Sequence, residues 1–113
     1  MIDDGFISDS KAIMERRAKS SNMNTVVLWM HAEWCGPCRR IEPKVNELVT
    51  NTADKIEWFD IMVPKDDFEK YELKETWGFE TIPCFFVWKK ESKDAEPVLT
   101  GPIKWDELSD TVV

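Results

Sequence analysis

The chain has 113 residues, a formal net charge of −7 and 42% hydrophobic residues. This is the length of a single domain, taken here as residues 1–113, and the composition of an ordinary globular protein. The longest apolar run, Val26 to Met30, is far shorter than the roughly 20 residues that a membrane-spanning helix needs. Proteins that bind phosphates carry the opposite charge balance. We therefore expect neither a membrane span nor a nucleic-acid partner.

The N-terminal residues lack the features of a targeting signal. Residues 1–8 contain no basic segment followed by an apolar stretch, so they differ from a secretory signal, and we interpret them as a short lead-in to the domain. Three cysteines are too few for a disulfide framework. Together these features favour a cytoplasmic protein, in a compartment where thiols stay reduced, and we expect it to be a monomer.

The predicted elements alternate between helices and strands along the chain. A helix from Asp9 or Ser10 to Ser20 precedes residues 25–32, a continuous apolar segment typical of a central strand covered on both faces. Residues 36–50 carry apolar side chains at helical spacing, with Pro43 inside the helix, where it should cause a kink. A strand over 56–63 follows, and then a helix from Asp66 or Asp67 to Trp77 that ends at Gly78. A further strand begins near Pro83, and a polar hairpin loop over 89–96 joins it to a returning strand over 97–100. The last ten residues form a final helix.

This order predicts the fold class. Two strand–helix–strand units followed by a β-hairpin and a final helix favour an α/β protein with a mixed central sheet and helices on both faces, which is a three-layer α/β/α sandwich. The pattern leaves room for an extra strand before the first helix. No internal repeat or low-complexity segment interrupts it.

Residues 35–38 read Cys-Gly-Pro-Cys and lie between a buried strand and a helix. Cys35 falls at the helix start, where unpaired backbone N–H groups and the positive end of the helix dipole favour a thiolate. Pro37 needs no N–H donor in the first turn. Cys38 lies one turn further, where it can attack a mixed disulfide on Cys35, and the very small ring that the pair closes is easily reopened. The spacing predicts a redox couple.

Residues 32–38 match the active-site motif of the thioredoxin family one for one, and the sequence resembles that family from about residue 9 to the C-terminus. Pro43 falls where family members have a kinked helix. Residues 77–83 are similar to the segment that leads to the family's cis-proline, and Gly101 is similar to the glycine that follows the last strand and borders the substrate groove. The resemblance implies a thioredoxin-like sandwich with a cis bond between Ile82 and Pro83.

The resemblance also implies an activity and its partners. Cys35 would be the nucleophile and Cys38 the resolving cysteine of a protein disulfide reductase, acting on disulfide-containing proteins. The sequence has no nucleotide motif of its own, so we expect no cofactor in this chain and an NADPH-dependent flavin thioredoxin reductase as the electron donor. The other residues that the resemblance assigns to the motif and the substrate groove are Trp34, Gly36, Pro37, Ile82, Pro83 and Gly101.

The sequence departs from the family at three positions. Family members usually carry a buried Asp, thought to relay a proton for the resolving cysteine, where this chain has Trp29, and a companion Lys that we match to Trp58. An indole cannot carry that proton. His31 replaces a family Trp and shares a strand face with position 29, so it is either a packed structural histidine or a residue that takes over part of the proton handling.

Alternatives to a reductase stay open. The three cysteines and His31 could formally make a Cys₃His zinc site, but Cys84 and His31 would have to converge on a helix terminus, and we expect no metal there. We expect Cys84 itself to be a buried thiol in the core. A related activity, an oxidant or an isomerase, is disfavoured by the Gly-Pro pair between the cysteines. A partner-binding module that uses the groove is the alternative from another class.

Overall fold

The computed structural model describes residues 10–65 and 67–112, without the side chains of 67–70. The lead-in over residues 1–8 and an extra first strand lie outside the described residues. Apart from the last strand, the element bounds differ from the predicted ones by two residues or fewer. The elements are α1 (Ser10–Ser20), β1 (Thr25–His31), α2 (Gly36–Thr52), β2 (Ile56–Met62), α3 (Asp67–Trp77), β3 (Cys84–Lys89), β4 (Val98–Ile103) and α4 (Trp105–Val112).

The four strands form one mixed sheet in the order β2-β1-β3-β4. β1 pairs in parallel with β2 and antiparallel with β3, and β3 pairs antiparallel with β4. The central position of β1 explains its continuous apolar sequence, because its residues from Val26 to His31 are all buried. The predicted mixed sheet is confirmed.

Alternate side chains of β1 enter two apolar clusters on opposite faces of the sheet. Leu28 and Met30 pack with Met14 of α1 and Leu73 of α3 in what we call the α1/α3 cluster. Trp29 joins the second, the α2/α4 cluster. The helical members of the second cluster are Ile41, Val45, Leu48 and Val49 of α2 and Trp105, Leu108 and Val112 of α4. Helices therefore cover both faces, and the predicted three-layer sandwich is confirmed.

The last strand is longer than predicted. β4 was expected to end at Thr100, but it continues through Gly101 and Pro102 to Ile103. Pro102 is tolerated because β4 is an edge strand, where a missing N–H donor breaks no pairing. The pairing with β3 shifts register between Phe85 and Val87. Gly101 therefore lies inside the strand and not after it, which corrects its predicted place.

The helices end and begin as their sequences suggest. Gly78 adopts φ +71° just after α3, and its N–H donates to the carbonyl of Lys74 at 2.8 Å, as expected of a helix stop. α2 runs through Pro43, which lies on its exposed side. In the described part of the chain, no helix has both the length and the apolar character needed to cross a membrane.

Candidate active site

Cys35 is the N-cap of α2. Its backbone is extended (φ −95°, ψ 113°), and its Sγ accepts the backbone N–H of Cys38 at 3.2 Å. Pro37 lies in the first turn, where no N–H donor is needed. The carbonyl of Cys35 accepts the N–H of Arg39 at 3.2 Å. The helix start therefore directs a backbone donor at the Cys35 sulfur, as predicted, and that donor favours a negative sulfur.

Cys35 and Cys38 are joined by a disulfide, with their Cα atoms 5.3 Å apart. Both are buried, Cys38 more so than Cys35, with 2% and 6% of their surfaces exposed. The difference in access matters chemically. An incoming disulfide can reach the Cys35 sulfur from the surface, whereas Cys38 can reach Cys35 only from within.

The loop before β3 lies against Cys35. The Ile82–Pro83 peptide bond is cis, as the family resemblance implied, and the carbonyl oxygen of Ile82 lies 3.6 Å from the Cys35 Sγ. Backbone polar groups of the Ile82 turn are thus presented beside the reactive sulfur.

A groove of about 410 Å³ opens at Cys35. The Trp34 ring at its rim is 43% exposed, and its Nε1 donates to the carbonyl of Val63 at 3.0 Å. Of the predicted groove residues, the structure brings Trp34, Gly36, Pro37 and Ile82 to this groove with Cys35. Five further residues line the groove and were not predicted from the sequence: Val63, Lys74, Phe79, Glu80 and Thr81.

Two predicted groove residues do not line this groove. Pro83 lines a neighbouring hollow on the other side of the Ile82 turn, together with Pro102. Gly101 lies in neither lining. Packing requires a glycine at this position, because a Cβ at Gly101 would lie 2.7 Å from the carbonyl oxygen of Phe85. Gly101 therefore lets β4 approach β3 closely, and its place at the border of the substrate groove stays a prediction.

His31 is hydrogen-bonded to Asp60, a contact that was not predicted from the sequence. Its Nε2 lies 2.9 Å from Oδ2 of Asp60, and the two side chains are 10% and 23% exposed. Its ring stacks on Trp29 with the centroids 3.9 Å apart and an interplanar angle of 16°. One sequence signal could have indicated Asp60. It is the only charged residue in the otherwise apolar segment 58–63 of the predicted second strand.

The register of the sheet does not place Trp58 opposite Trp29, and the match of Trp58 to the family Lys stays a prediction. In the parallel pairing of β1 and β2, Trp58 lies opposite Val27, and the residue opposite Trp29 is Asp60. The Trp58 indole instead donates to Thr52 at 2.9 Å. Trp29 belongs to the α2/α4 cluster, whereas Cys38 belongs to the α1/α3 cluster.

The third cysteine takes no part in the disulfide, although it lies in the same apolar cluster as Cys35 and Cys38. Cys84 is a free, buried thiol opposite Met30 in the sheet. Burial raises its pKa from 9.0 to about 12, which makes it a poor nucleophile at neutral pH. Within residues 10–65 and 67–112, no three His, Cys, Asp or Glu side chains lie close enough to hold a metal ion, so the zinc alternative finds no support there.

A disulfide between two cysteines three residues apart, capping a helix and reached from a groove, defines a thiol–disulfide oxidoreductase. Comparison with known proteins gives the family. The family model described as Thioredoxin matches residues 9–113, and the chain belongs to the thioredoxin family. The predicted family is therefore confirmed.

Individual relatives agree with this assignment. The chain is 34% identical over 95 residues to a thioredoxin of Rhodospirillum rubrum, covering 80% of this chain and 86% of that protein. It is 31% identical over 96 residues to the chloroplastic thioredoxin F-type of Spinacia oleracea, covering 83% of this chain and 46% of that protein. Thioredoxin f2 of Chlamydomonas reinhardtii shares the fold, with a TM-score of 0.64, 18% identity and coverage of 98% and 90% of the two chains.

Proposed function

We propose that the protein is a disulfide reductase in which Cys35 is the nucleophile and Cys38 the resolving cysteine. One observation carries the assignment of roles: Cys35 lines the groove, and Cys38 does not. The Cys38 N–H at 3.2 Å supports a thiolate on Cys35 once the pair is reduced. Cys35 therefore meets the substrate first.

The reaction has two exchanges. The Cys35 thiolate attacks one sulfur of the substrate disulfide, forms a mixed disulfide and releases the other substrate sulfur as a thiolate. Cys38 then attacks the Cys35 sulfur, which closes the Cys35–Cys38 disulfide and releases the second substrate thiol. The substrate gains two electrons and the protein loses two.

The groove supports a protein substrate in an extended conformation. The Ile82 backbone lies beside the Cys35 sulfur and can pair with a substrate main chain. The exposed Trp34 ring and the apolar side chains of Val63 and Phe79 supply contact area around it. We place disulfide-containing proteins, and not small disulfides alone, among the substrates.

The electrons must return from outside the chain, and an NADPH-dependent flavin thioredoxin reductase is the proposed donor. The proposal includes a monomer in a reducing compartment, with the cytoplasm as the first choice. The chloroplastic relatives make the stroma the competing location. Imaging of the tagged protein in its own cell decides between the two, and light scattering of the reduced protein tests the monomer.

Reduction of insulin by dithiothreitol, followed by turbidity, tests the activity. The protein should accelerate precipitation, and Cys35→Ser should abolish the acceleration. Cys38→Ser should trap the substrate as a mixed disulfide that migrates with the protein on a non-reducing gel. Cys84→Ser is the matched control and should remain active. Equal activity of Cys35→Ser and the unaltered protein would refute the proposal.

The reduction potential separates a reductase from an oxidant or isomerase of the same fold. A reductase of this kind should equilibrate with dithiothreitol and glutathione buffers near −270 mV, compared with about −120 mV for a strong oxidant. A potential at the oxidising end would favour the alternative activity. If partner binding in the groove is unchanged when both Cys35 and Cys38 are replaced, the binding module is favoured.

A further inference from the structure

Two charged side chains line the substrate groove, and neither exchange described above uses them. They are Lys74, which is half-buried, and Glu80, which is exposed. None of the other lining residues is Asp, Glu, Lys, Arg or His. The groove therefore presents one positive and one negative side chain on an otherwise uncharged wall.

Both charges are available to a bound molecule. Within the described part of the chain, neither side chain forms an ion pair or a side-chain hydrogen bond, and the two do not pair with each other. If a substrate brought opposite charges to these two side chains, it would not have to displace an existing partner. Because Lys74 and Glu80 do not meet, they contact different parts of a bound segment.

The chain places Glu80 close to the reactive sulfur. Glu80 lies two residues before Ile82, whose carbonyl oxygen is 3.6 Å from the Cys35 Sγ. Two residues of fully extended chain span at most about 7 Å. A substrate strand beside Ile82 advances by the same length per residue, so Glu80 faces a side chain about two positions or fewer from the substrate cysteine.

Glu80 also borders the neighbouring hollow that Pro83 lines. Phe79, Glu80 and Thr81 line both the groove and this hollow, so they form the ridge between the two. Lys104 lines the hollow but not the groove, and it forms no ion pair with Glu80. A substrate that leaves the groove over this ridge passes Glu80.

Lys74 is held by the same loop. It lies in the last turn of α3, and its carbonyl accepts the N–H of Gly78 at 2.8 Å. This bond fixes the end of α3 at the start of the segment that leads to Ile82. The ammonium group therefore reaches the groove from a rigid helix end, whereas the Glu80 carboxylate reaches it from the loop.

We propose that Glu80 and Lys74 are specificity residues, which select a substrate segment carrying one basic and one acidic side chain near the exchanging cysteine. The basic side chain pairs with Glu80 and the acidic one with Lys74. The inference rests on the proposed function and names the class of protein segment that this groove prefers. The two charges act on binding and leave the electron transfer to the cysteines.

The preference for a basic side chain should be the stronger of the two. The net charge of −7 attracts basic segments at long range and repels acidic ones, so it adds to the effect of Glu80 and opposes that of Lys74. A pair of opposite charges near the surface changes a binding constant by up to about 5-fold. Added salt should weaken both preferences, because exposed charges are screened.

Short peptides with one cysteine, held as a mixed disulfide with thiopyridine, test the proposal on the reduced, full-length protein. The Cys35 sulfur bonds to the peptide sulfur, and the electron pair of the broken bond leaves on thiopyridine, which takes up a proton. The absorbance of the released thiopyridone gives the second-order rate constant. Lys, Glu or Ala is placed in turn at each of the three positions on either side of the cysteine.

We expect one position at which Lys reacts up to about 5-fold faster than Ala, through Glu80. At a different position Glu should react faster than Ala, by a smaller factor, through Lys74. Both differences should shrink as salt is added.

Two substitutions assign each preference to its residue. Glu80→Gln removes the charge and keeps the shape, so it should abolish the preference for Lys and leave the preference for Glu. Lys74→Met keeps the length of the side chain without its charge, and it should do the reverse. Thermal unfolding of each variant shows that it is folded.

Glu91→Gln is the matched control, because it removes the same charge from an exposed residue far from the groove. The preceding residue, Lys90, donates its backbone N–H to the carbonyl of Asn24 at 2.8 Å, just before β1, whereas Cys35 follows the other end of β1. The seven residues of that strand separate the two ends by about 20 Å. Glu91→Gln should keep both preferences.

The outcomes separate this inference from the proposed function. If the unaltered protein reacts with the Ala peptides but shows neither preference, or if Glu80→Gln keeps the preference for Lys, the inference is refuted. Equal losses in Glu80→Gln and Glu91→Gln would assign the effect to net charge and would also refute it. If the Ala peptides do not react at all with the unaltered protein, the disulfide-exchange activity itself is refuted.

Discussion

Trp29 lies opposite Asp60 in the parallel register of β1 and β2, and its ring stacks on His31, which in turn pairs with Asp60. The Trp29 Nε1 is buried and has no hydrogen-bond partner among the described residues. A buried donor without a partner costs about 1–3 kcal/mol. The ring therefore stabilises the fold through its apolar area and its stack, while its N–H reduces that gain.

Replacement of Trp29 should depend strongly on the new side chain. Trp29→Phe keeps an aromatic ring and removes the unsatisfied N–H, so we expect a loss of no more than about 1 kcal/mol in the free energy of unfolding. Trp29→Asp should cost about 3–5 kcal/mol, because it removes the ring and buries a carboxyl. Denaturation in urea measures both.

The Asp variant should also respond to pH. The new carboxyl would lie opposite Asp60, and a like charge favours its protonated form in the folded state. Its folded-state pKa would then exceed the unfolded one, so stability is kept at acid pH and lost as the pH rises. Equal unfolding free energies for Trp29→Phe and Trp29→Asp would contradict this account.

Cys84 should be the least reactive of the three thiols. Burial raises its pKa to about 12, so it stays protonated at the pH of ordinary alkylation. With iodoacetamide near neutral pH, the reduced protein should be labelled at Cys35 first, because the N–H of Cys38 favours the Cys35 thiolate, and at Cys84 only after unfolding. Peptide mass spectrometry of timed samples measures the order, and early labelling of Cys84 would contradict it.

The raised pKa of Cys84 has a consequence for stability. The folded-state pKa lies above the ordinary value of 9.0, so the folded protein holds this proton more tightly than the unfolded chain does. Stability from this group is therefore unaffected below about pH 9 and falls as the pH rises from there toward 12. Cys84→Ala should flatten that part of the curve while lowering the whole of it. An identical slope in both proteins would contradict the assignment.

The sequence predicted the fold and the redox pair because both depend on local patterns. The continuous apolar segment of β1 indicated a central strand, and the Cys35 to Cys38 spacing at a helix start indicated the chemistry. The bounds of α3 followed from Gly78, which can adopt a positive φ. In each case a few adjacent residues carry the physical reason.

The sequence did not predict features that depend on register or on contacts between distant elements. Asp60 was missed because only the pairing of β1 with β2 places it opposite Trp29 and beside His31. β4 was predicted too short because Gly-Pro is usually a strand end, and only its edge position lets the strand continue. Lys90 was assigned to a polar loop, although its long side chain folds back under α1.

Lys90 should be a structural lysine. It is 8% exposed, and its Nζ donates to the carbonyls of Lys19 and Ser21, each at 2.9 Å. These carbonyls lie at the C-terminal end of α1, where the helix itself leaves acceptors without partners. Hydrogen bonds from a charged donor are worth about 1.5–3 kcal/mol. We expect Lys90→Met to lower the unfolding free energy by about 2–3 kcal/mol.

The exposed neighbour Lys89 provides the control for this prediction. Lys89 is on the surface, so Lys89→Met should change the unfolding free energy by no more than about 0.5 kcal/mol. Faster amide hydrogen exchange in the last turn of α1 should accompany Lys90→Met alone. If both substitutions have the same effect, the ammonium of Lys90 does not hold the end of the helix.

Gly101 should tolerate no side chain, for reasons of both backbone conformation and steric contact. Comparison with Gly78 separates the two reasons. Both have positive φ, +140° and +71°. A Cβ at Gly101 would lie 2.7 Å from the Phe85 carbonyl oxygen and 2.9 Å from the Phe86 ring, whereas a Cβ at Gly78 meets no atom within 4 Å. We expect Gly78→Ala to cost about 1–2 kcal/mol for its left-handed backbone.

Gly101→Ala should cost more, about 3 kcal/mol or above, because the clash with β3 backbone adds to a φ that side chains rarely adopt. Since Phe85 and Phe86 lie on β3, directly after Pro83 and Cys84, any relief of the clash must push β3 away from β4. That movement should slow insulin reduction in Gly101→Ala by shifting the Ile82 turn, while Gly78→Ala keeps its rate. Urea denaturation and the insulin assay measure the two effects, and equal losses in both variants would show that the close approach to Phe85 carries no cost.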